Sequence, residues 1–267
     1  MERLPYIGVA GFVTFPDIHE AILATPYKNH LPLAIGILTS SKTITGTPNK
    51  YPHRYPKVED IPAMIRESRE LAKEHERKVL FVLHYSTDAL ENFEEQIRAV
   101  GHVVARAAFD GVQINIPPHF YHHPTVLPML DWLARWECVT RIIAQVRPSR
   151  GSESWTDLIG VGLHITKYAS GVTDLLLDAS GGTGNQMNLS TTSDLVTAIR
   201  GSTKHRDRLN INVAGGLTPK NLVQIETLFR LHGLLGFDIE SGVRDADDQL
   251  SIGLLREYLR EAYKLAR

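Results

Sequence analysis

A single (β/α)8 TIM barrel, running over residues 1–267 as one α/β domain, is the fold class that the sequence predicts. Three observations carry it. Short apolar runs alternate with stretches of helical period until eight strands are counted. Three of those runs, all in the last third, end directly in small residues at a turn. They lead into Gly181-Gly182-Thr183-Gly184, Gly215-Gly216 and Ser241-Gly242. A doubly wound open sheet is the competitor, but its early glycine fingerprint is missing from the first turn, Ala10-Gly11-Phe12-Val13.

The elements follow in order. Residues 6–10 form the first apolar strand, stopped by Gly11, and Phe15-Pro16-Asp17 opens a helix to about 23. Residues 33–38 are the second strand. A long loop at about 39–58 follows, punctuated by Pro48, Pro52 and Pro56. Such a loop is either a binding lid or a rigid surface excursion. Residues 59–75 read as a helix with Pro62 in its first turn and Ile61, Ile65, Ser68, Leu71 and Ala72 facing inward. The third strand is 78–83. Thr87 is placed to cap the helix carrying Leu90, Phe93 and Ile97. Residues 110–116 are the fourth strand, ended by Pro117-Pro118. A helix at 126–134 and a fifth strand at 141–146 come next, with the lone Cys138 between them as a structural thiol. A helix at 155–168 precedes the sixth strand at 173–177. Helix 190–200, strand 209–213, a helix at 219–231 begun by Pro219, strand 236–240 and helix 251–266 complete the count.

Composition narrows the function. Lys plus Arg is 29 and Asp plus Glu is 30, so nothing pulls the whole chain toward nucleic acid or an anionic membrane. No apolar stretch reaches membrane-spanning length. Met1-Glu2-Arg3-Leu4-Pro5 has neither a basic region nor a following apolar run, so a cytoplasmic protein is expected. One cysteine excludes an intrachain disulfide and a thiolate metal cluster. His119-Phe120-Tyr121-His122-His123 lacks a matching carboxylate or cysteine set and reads as a surface loop. Composition does not set the oligomeric state. A homo-oligomer is compatible with it, and the loop near Tyr51 either closes over substrate or joins subunits.

A barrel places its site at the C-terminal ends of the strands. Gly215, Gly216, Ser241 and Gly242 are the candidate phosphate cradle, because glycine loops present N–H groups and Ser241 adds a hydroxyl. Tight packing turns are the alternative. Asp178, directly after Leu175-Leu176-Leu177, is a candidate acid or a carboxylate that holds the next loop. Asp238 and Glu240 share a face by two-residue alternation. Glu240 is a candidate base unless Arg244 pairs with it, and Asp238 is a candidate backbone anchor. His84, Gln113 and Asn115 are candidates to contact the non-phosphate part of a substrate, with a core hydrogen bond as the equal alternative for Gln113, while Gly182 and Thr183 border it.

These segments resemble the phosphoribosylanthranilate isomerase family of tryptophan biosynthesis. The similarity is distributed over Val9-Ala10-Gly11, Val112-Gln113-Ile114-Asn115, Leu176-Leu177-Asp178 with Gly182-Thr183-Gly184, the run from Val213 to Asn221, and the run from Gly236 to Val243. The resemblance implies a barrel that isomerises an N-linked phosphoribosyl aldimine to an amino-ketose with a cysteine base and an aspartate acid. The acid position falls on Asp178. The base position falls on Ala10, which cannot move a proton, so the chain is a diverged member on this reading. Lys42 stands where the family often has arginine, keeping charge but losing the bidentate fork. Asn115 stands where histidine is common, Glu240 replaces a small polar residue, and Arg244 takes the place of a frequent glutamate.

The expectation is therefore a cytoplasmic barrel that binds a phosphorylated small molecule and isomerises it by proton transfer through Asp178, with Glu240 or His84 as partner. No metal or redox cofactor is required by that chemistry. The ordinary family reaction with a substituted base, and a noncatalytic phosphoribosyl sensor, are the alternatives.

Overall fold

In the computed structural model, residues 4–148, 155–178, 187–202 and 209–266 are described. Eight parallel strands close on themselves in sequence order: β1 (Ile7–Ala10), β2 (Leu33–Ser40), β3 (Val79–Ser86), β4 (Gly111–Asn115), β5 (Arg141–Val146), β6 (Asp174–Asp178), β7 (Asn210–Ala214) and β8 (Gly236–Ile239). Closure pairs Ile7, Gly8 and Val9 of β1 with Phe237, Asp238 and Ile239 of β8. The barrel therefore has no sheet edge. Helices follow the strands in sequence. They are α1 (Phe15–Ala24), the single turn α2 (Ser41–Ile44), α3 (Ile61–Glu74), α4 (Phe93–Ala107), α5 (Val126–Leu133), α6 (Trp155–Tyr168), α7 (Leu189–Ser202), α8 (Ile225–His232) and α9 (Ile252–Leu265).

Alternation divides the strand side chains into two cores. Ile7, Val9, Ile35, Phe81, Leu83, Val112 and Phe237 belong to one large buried cluster with apolar residues of the helices, such as Ile18, Ile65, Ile97 and Leu259. A second, small cluster fills the barrel's interior: Tyr6, Ala34, Val82, Ile143 and Leu176. Toward the strands' N-terminal ends the interior holds a charge pair. Arg141 Nη1 lies 2.8 Å from Asp174 Oδ1, Asn212 donates to the same oxygen at 3.3 Å, and the Thr173 hydroxyl donates to Asp174 Oδ2 at 2.7 Å. Buried charge demands such complete pairing.

The expected strands and helices are present, with corrections at their mouth-facing ends. β2 runs on to Ser40 and β3 to Ser86, because Leu38, Thr39 and Ser40 pair in register with His84, Tyr85 and Ser86. His84 is thus inside a strand rather than after one. The long loop is correspondingly shorter and is not featureless: it holds α2 and a 3-10 turn at Pro52–Arg54. Thr87 does not cap a helix. Its hydroxyl accepts the Ala89 N–H at 3.2 Å, and α4 starts at Phe93 after Asn92 in a left-handed conformation, leaving Leu90 outside. Pro219 does not begin α8 either. Asn221 and Thr218 bond reciprocally, and a 3-10 turn at Leu222–Gln224 precedes Ile225. Cys138 is free and half-buried between α5 and β5.

Candidate active site

At the C-terminal ends of the strands, a cavity of about 830 Å³ opens. It gathers most of the residues that the sequence singled out. Ala10, His84, Gln113, Asn115, Asp178, Gly215, Gly216, Glu240, Ser241 and Lys42 all line it. Asp238 lines it too.

Its β7–β8 wall is made largely of backbone. Gly215 and Gly216 both have positive φ, 113° and 61°, which a side chain would strain. Asn221 holds this loop by donating from Nδ2 to the Gly216 carbonyl at 2.8 Å and accepting the Thr218 N–H at 2.7 Å. The next loop is a three-residue 3-10 turn, Ser241–Val243. Ser241 reaches the cavity, but Gly242 does not. Gly242 is instead packed against the neighbouring loop, where a Cβ would collide with the Leu217 carbonyl oxygen. Gly182 and Thr183 lie outside the described residues.

The β4–β6 wall is a chain of side-chain amides ending at the candidate acid. Gln113 Nε2 donates to Gln145 Oε1 at 3.0 Å, and Gln145 Nε2 donates to Asp178 Oδ2 at 2.9 Å. All three are buried. This relay fixes the Asp178 carboxyl and gives Gln113 a positioning task. Arg147, one residue past β5, donates from Nε to Asn115 Oδ1 at 2.6 Å. Sequence reading missed both Gln145 and Arg147. The signal is alternation: Gln145 follows Ile143 at the next inward position of β5, and Arg147 continues the same spacing one residue past the strand.

The loop after β2 forms the third wall, with Lys42 exposed at its rim and Tyr51, Arg54 and Tyr55 facing the cavity. It is fastened to the segment after β8. Arg54 donates from Nε to Asp248 Oδ2 at 2.8 Å and from Nη1 to Glu240 Oε1 at 2.6 Å, and its Nη2 also reaches Asp248 Oδ1. His53 Nε2 meets the same carboxylate at 2.5 Å. The Arg54 hydrogen bonds pull Asp248 down to a pKa of about 2. Of the two expected readings of the loop, its position over the strand ends supports a wall of the site.

This clamp corrects the reading of Glu240. β8 ends at Ile239, so Glu240 leaves the strand, with φ −134° and ψ −71°. Its carboxylate is taken by Arg54, brought from 186 positions away in the chain. Arg244 is not its hydrogen-bonded partner. It donates instead to the carbonyls of Asp248 and Gly11, each at 2.9 Å.

At the floor of the cavity His84 and Asp238 face each other, with Nε2 to Oδ2 at 4.0 Å. Burial pushes the imidazole down to a pKa of about 3. Burial, with the nearby Glu240 charge adding to it, pushes the Asp238 carboxyl up to about 8. Asp238 Oδ1 has no hydrogen-bond partner. His119, in the 3-10 turn Pro118–His122, also borders the cavity. No group of three or more His, Cys, Asp or Glu that could hold a metal is present among the described residues. Among those residues no helix is long and apolar enough to cross a membrane.

Fold and site together define a (β/α)8 barrel with a polar cavity at its strand ends, a glycine-lined wall and a buried acid. The comparisons give that class a family resemblance. The family model described as N-(5'-phosphoribosyl)anthranilate isomerase matches residues 156–256, the part that carries β6, β7 and β8. A phosphoribosyl anthranilate isomerase solved with reduced 1-(o-carboxyphenylamino)-1-deoxyribulose 5-phosphate is 14% identical over 98% of this chain and 100% of its own, with a TM-score of 0.63. The enzyme from Thermus thermophilus is 16% identical over 97% and 99%, with a TM-score of 0.61. A Rubisco-like protein from Rhodopseudomonas palustris is 10% identical over 99% of this chain and 65% of its own, with a TM-score of 0.60. At these identities the structures establish a common fold. A search of curated proteins found no match. The chain thus resembles the phosphoribosylanthranilate isomerases in fold and, over residues 156–256, in sequence.

Proposed function

We propose that this protein is a cytoplasmic isomerase of a phosphorylated, sugar-like metabolite and a diverged relative of phosphoribosylanthranilate isomerase. One observation supports it above the rest. The glycine loop after β7, Ser241 after β8 and the amide-held Asp178 at the end of β6 all open onto one cavity. Backbone donors on one wall suit a phosphate, and a positioned carboxyl on the next suits proton transfer to the sugar part. In this reading Asp178 is the acid, Gln145 and Gln113 orient it, and Lys42 and Asn115 meet the remainder of the substrate. Ala10 weighs against the ordinary family reaction by the family's own route, because a methyl group takes no proton.

Ribose 5-phosphate and N-(5'-phosphoribosyl)anthranilate test the proposal. Calorimetric titration reads binding, and loss of anthranilate fluorescence reads turnover. Binding of ribose 5-phosphate that is weakened at least tenfold by Gly216→Ala supports the phosphate wall. Turnover in addition restores the family reaction, whereas binding without any proton exchange favours a sensor. Absence of binding overturns the reading.

A further inference from the structure

Ala10 leaves the proposed isomerisation without its expected base, and the barrel interior just beneath Ala10 is built unusually. Three small residues, Gly8 and Ala10 of β1 and Gly36 of β2, adjoin there, with Ala10 paired to Gly36. The space that side chains would fill is taken from both sides. A Cβ on Gly36 would lie 2.7 Å from His84 Nε2 and 3.0 Å from the Ala10 Cα. A Cβ on Gly8 would lie 2.6 Å from Asp238 Oδ1. So the imidazole of β3 reaches across β2, and the carboxyl of β8 reaches across β1. They converge 4.0 Å apart below the position where the resemblance places the missing cysteine. Both line the cavity, and Asp238 Oδ1 lies buried without a partner.

We infer that Asp238 is the base of this site, with His84 as the residue that positions it. The inference rests on the proposed isomerase reading. His84 is the poorer base, because its desolvated imidazole resists taking a proton. Asp238 holds the opposite property, since a carboxylate that burial makes costly accepts a proton readily. In the step, the Asp238 carboxylate removes the hydrogen on the carbon next to a carbonyl or protonated imine. The electron pair of that C–H bond becomes the new carbon–carbon double bond. The π pair of the C=O or C=N moves onto oxygen or nitrogen, where Asp178 supplies a proton in the carbonyl case. The hydrogen ends on Asp238. Asp238 then returns a proton to the neighbouring carbon, while the hydroxyl on the first carbon gives its proton to the Asp178 carboxylate and its O–H electron pair forms the new C=O, which restores both carboxyl groups.

Asp238 is faced by His84 of β3, Tyr6 just before β1, Asp178 of β6, Tyr258 of α9 and Glu240 beyond β8. His84, Tyr6 and Tyr258 are the neutral donors among them; the Tyr258 hydroxyl is committed to the Gly8 carbonyl at 2.9 Å, and His84 Nε2 lies 4.0 Å from the Asp238 carboxylate, within reach of a short closure.

The test follows ribose 5-phosphate in D2O by proton NMR, reading loss of the C2 hydrogen, with binding measured in parallel. Wild type is expected to exchange, with a rate that rises with pH through an inflection near pH 8 before levelling off. Asp238→Asn is expected to bind within twofold of wild type and to exchange at least about 100-fold more slowly. His84→Gln is expected to shift the inflection of the pH profile while keeping binding. Asp238→Asn that exchanges within threefold of wild type overturns the inference. So does wild type that binds but does not exchange, and in that case the phosphate reading stands. Wild type that does not bind overturns the phosphate reading and this inference together. Circular dichroism and denaturant unfolding of each variant establish that it is folded, and Asp238→Glu, expected to recover part of the exchange, serves as the second variant.

Discussion

Two carboxylates sit inside the same barrel, and their surroundings differ. Asp174, toward the strands' N-terminal ends, is wholly buried and has a guanidinium, a hydroxyl and an amide on its oxygens. Asp238, at the cavity floor, is nearly as buried, yet one oxygen has no partner and the other faces a neutral imidazole at 4.0 Å. The Ile143, Leu176, Ala34 and Val82 plug belongs to the interior between these regions. A carboxylate with donors on both oxygens is fixed in place. One left short of donors keeps a high proton affinity and is available for chemistry. The contrast separates the part of the interior that holds the barrel from the part that faces a ligand.

Removing one partner of the satisfied pair should do the most damage. Arg141→Met is expected to cost about 3–5 kcal/mol, because it strands the buried Asp174 charge, and urea unfolding at pH 7 measures it. Asp238→Asn should not behave this way, and equal losses from the two substitutions would erase the distinction. Gly36→Ala comes next. Its methyl would press on His84 Nε2 at 2.7 Å, costing about 1–3 kcal/mol by overpacking and displacing the imidazole in a crystal structure of the variant.

The pH dependence sharpens the comparison further. Asp238 has a folded pKa of about 8 against 3.8, so across that window the folded protein keeps a proton that the unfolded chain releases. Its contribution to stability is full below about pH 4 and is lost as pH rises through 8. His84 runs the other way, with a folded value of about 3 against 6.5, so its contribution grows as pH rises between those values. The two oppose each other up to about pH 6.5, and above it the Asp238 loss stands alone. Unfolding free energy of the wild type should therefore fall between pH 6.5 and 8, by at most about 1.4 kcal/mol per pH unit from this group. Asp238→Asn should flatten that fall. An unchanged slope would show that Asp238 is not the group responsible.

The smallest effect is expected at the partly exposed clamp. Arg54→Ala releases Asp248 and Glu240, for about 1 kcal/mol or less given their exposure to solvent. It should nonetheless raise protease cleavage within residues 45–58. A clamp that contributes nothing would leave that rate unchanged.

Local signals in the sequence were enough for the architecture. Apolar runs such as Leu175-Leu176-Leu177 and the helical period of α3 and α9 need only neighbouring residues to be read, and α6 was placed with its boundaries at 155 and 168. The glycines at 215 and 216 were legible because a positive φ leaves a mark in residue type. The mouth ends of β2 and β3 are less legible for the converse reason. There the inward positions turn polar, as at Ser40 and His84, and the hydrophobic pattern that reveals a strand stops before the strand does. Contacts between distant positions had no local mark at all. Arg54 meets Asp248 across 194 positions and Glu240 across 186, so the Glu240 carboxylate is ion-paired rather than free. His84 meets Asp238 because closure sets β8 beside β1 and because Gly8 and Gly36 lack the side chains that would keep the two apart. Sequence determined which segments become strands and where backbone must turn, since those depend on short-range sterics and burial period. Tertiary structure alone decided which buried polar groups are satisfied, because that depends on which strands become neighbours when the barrel closes.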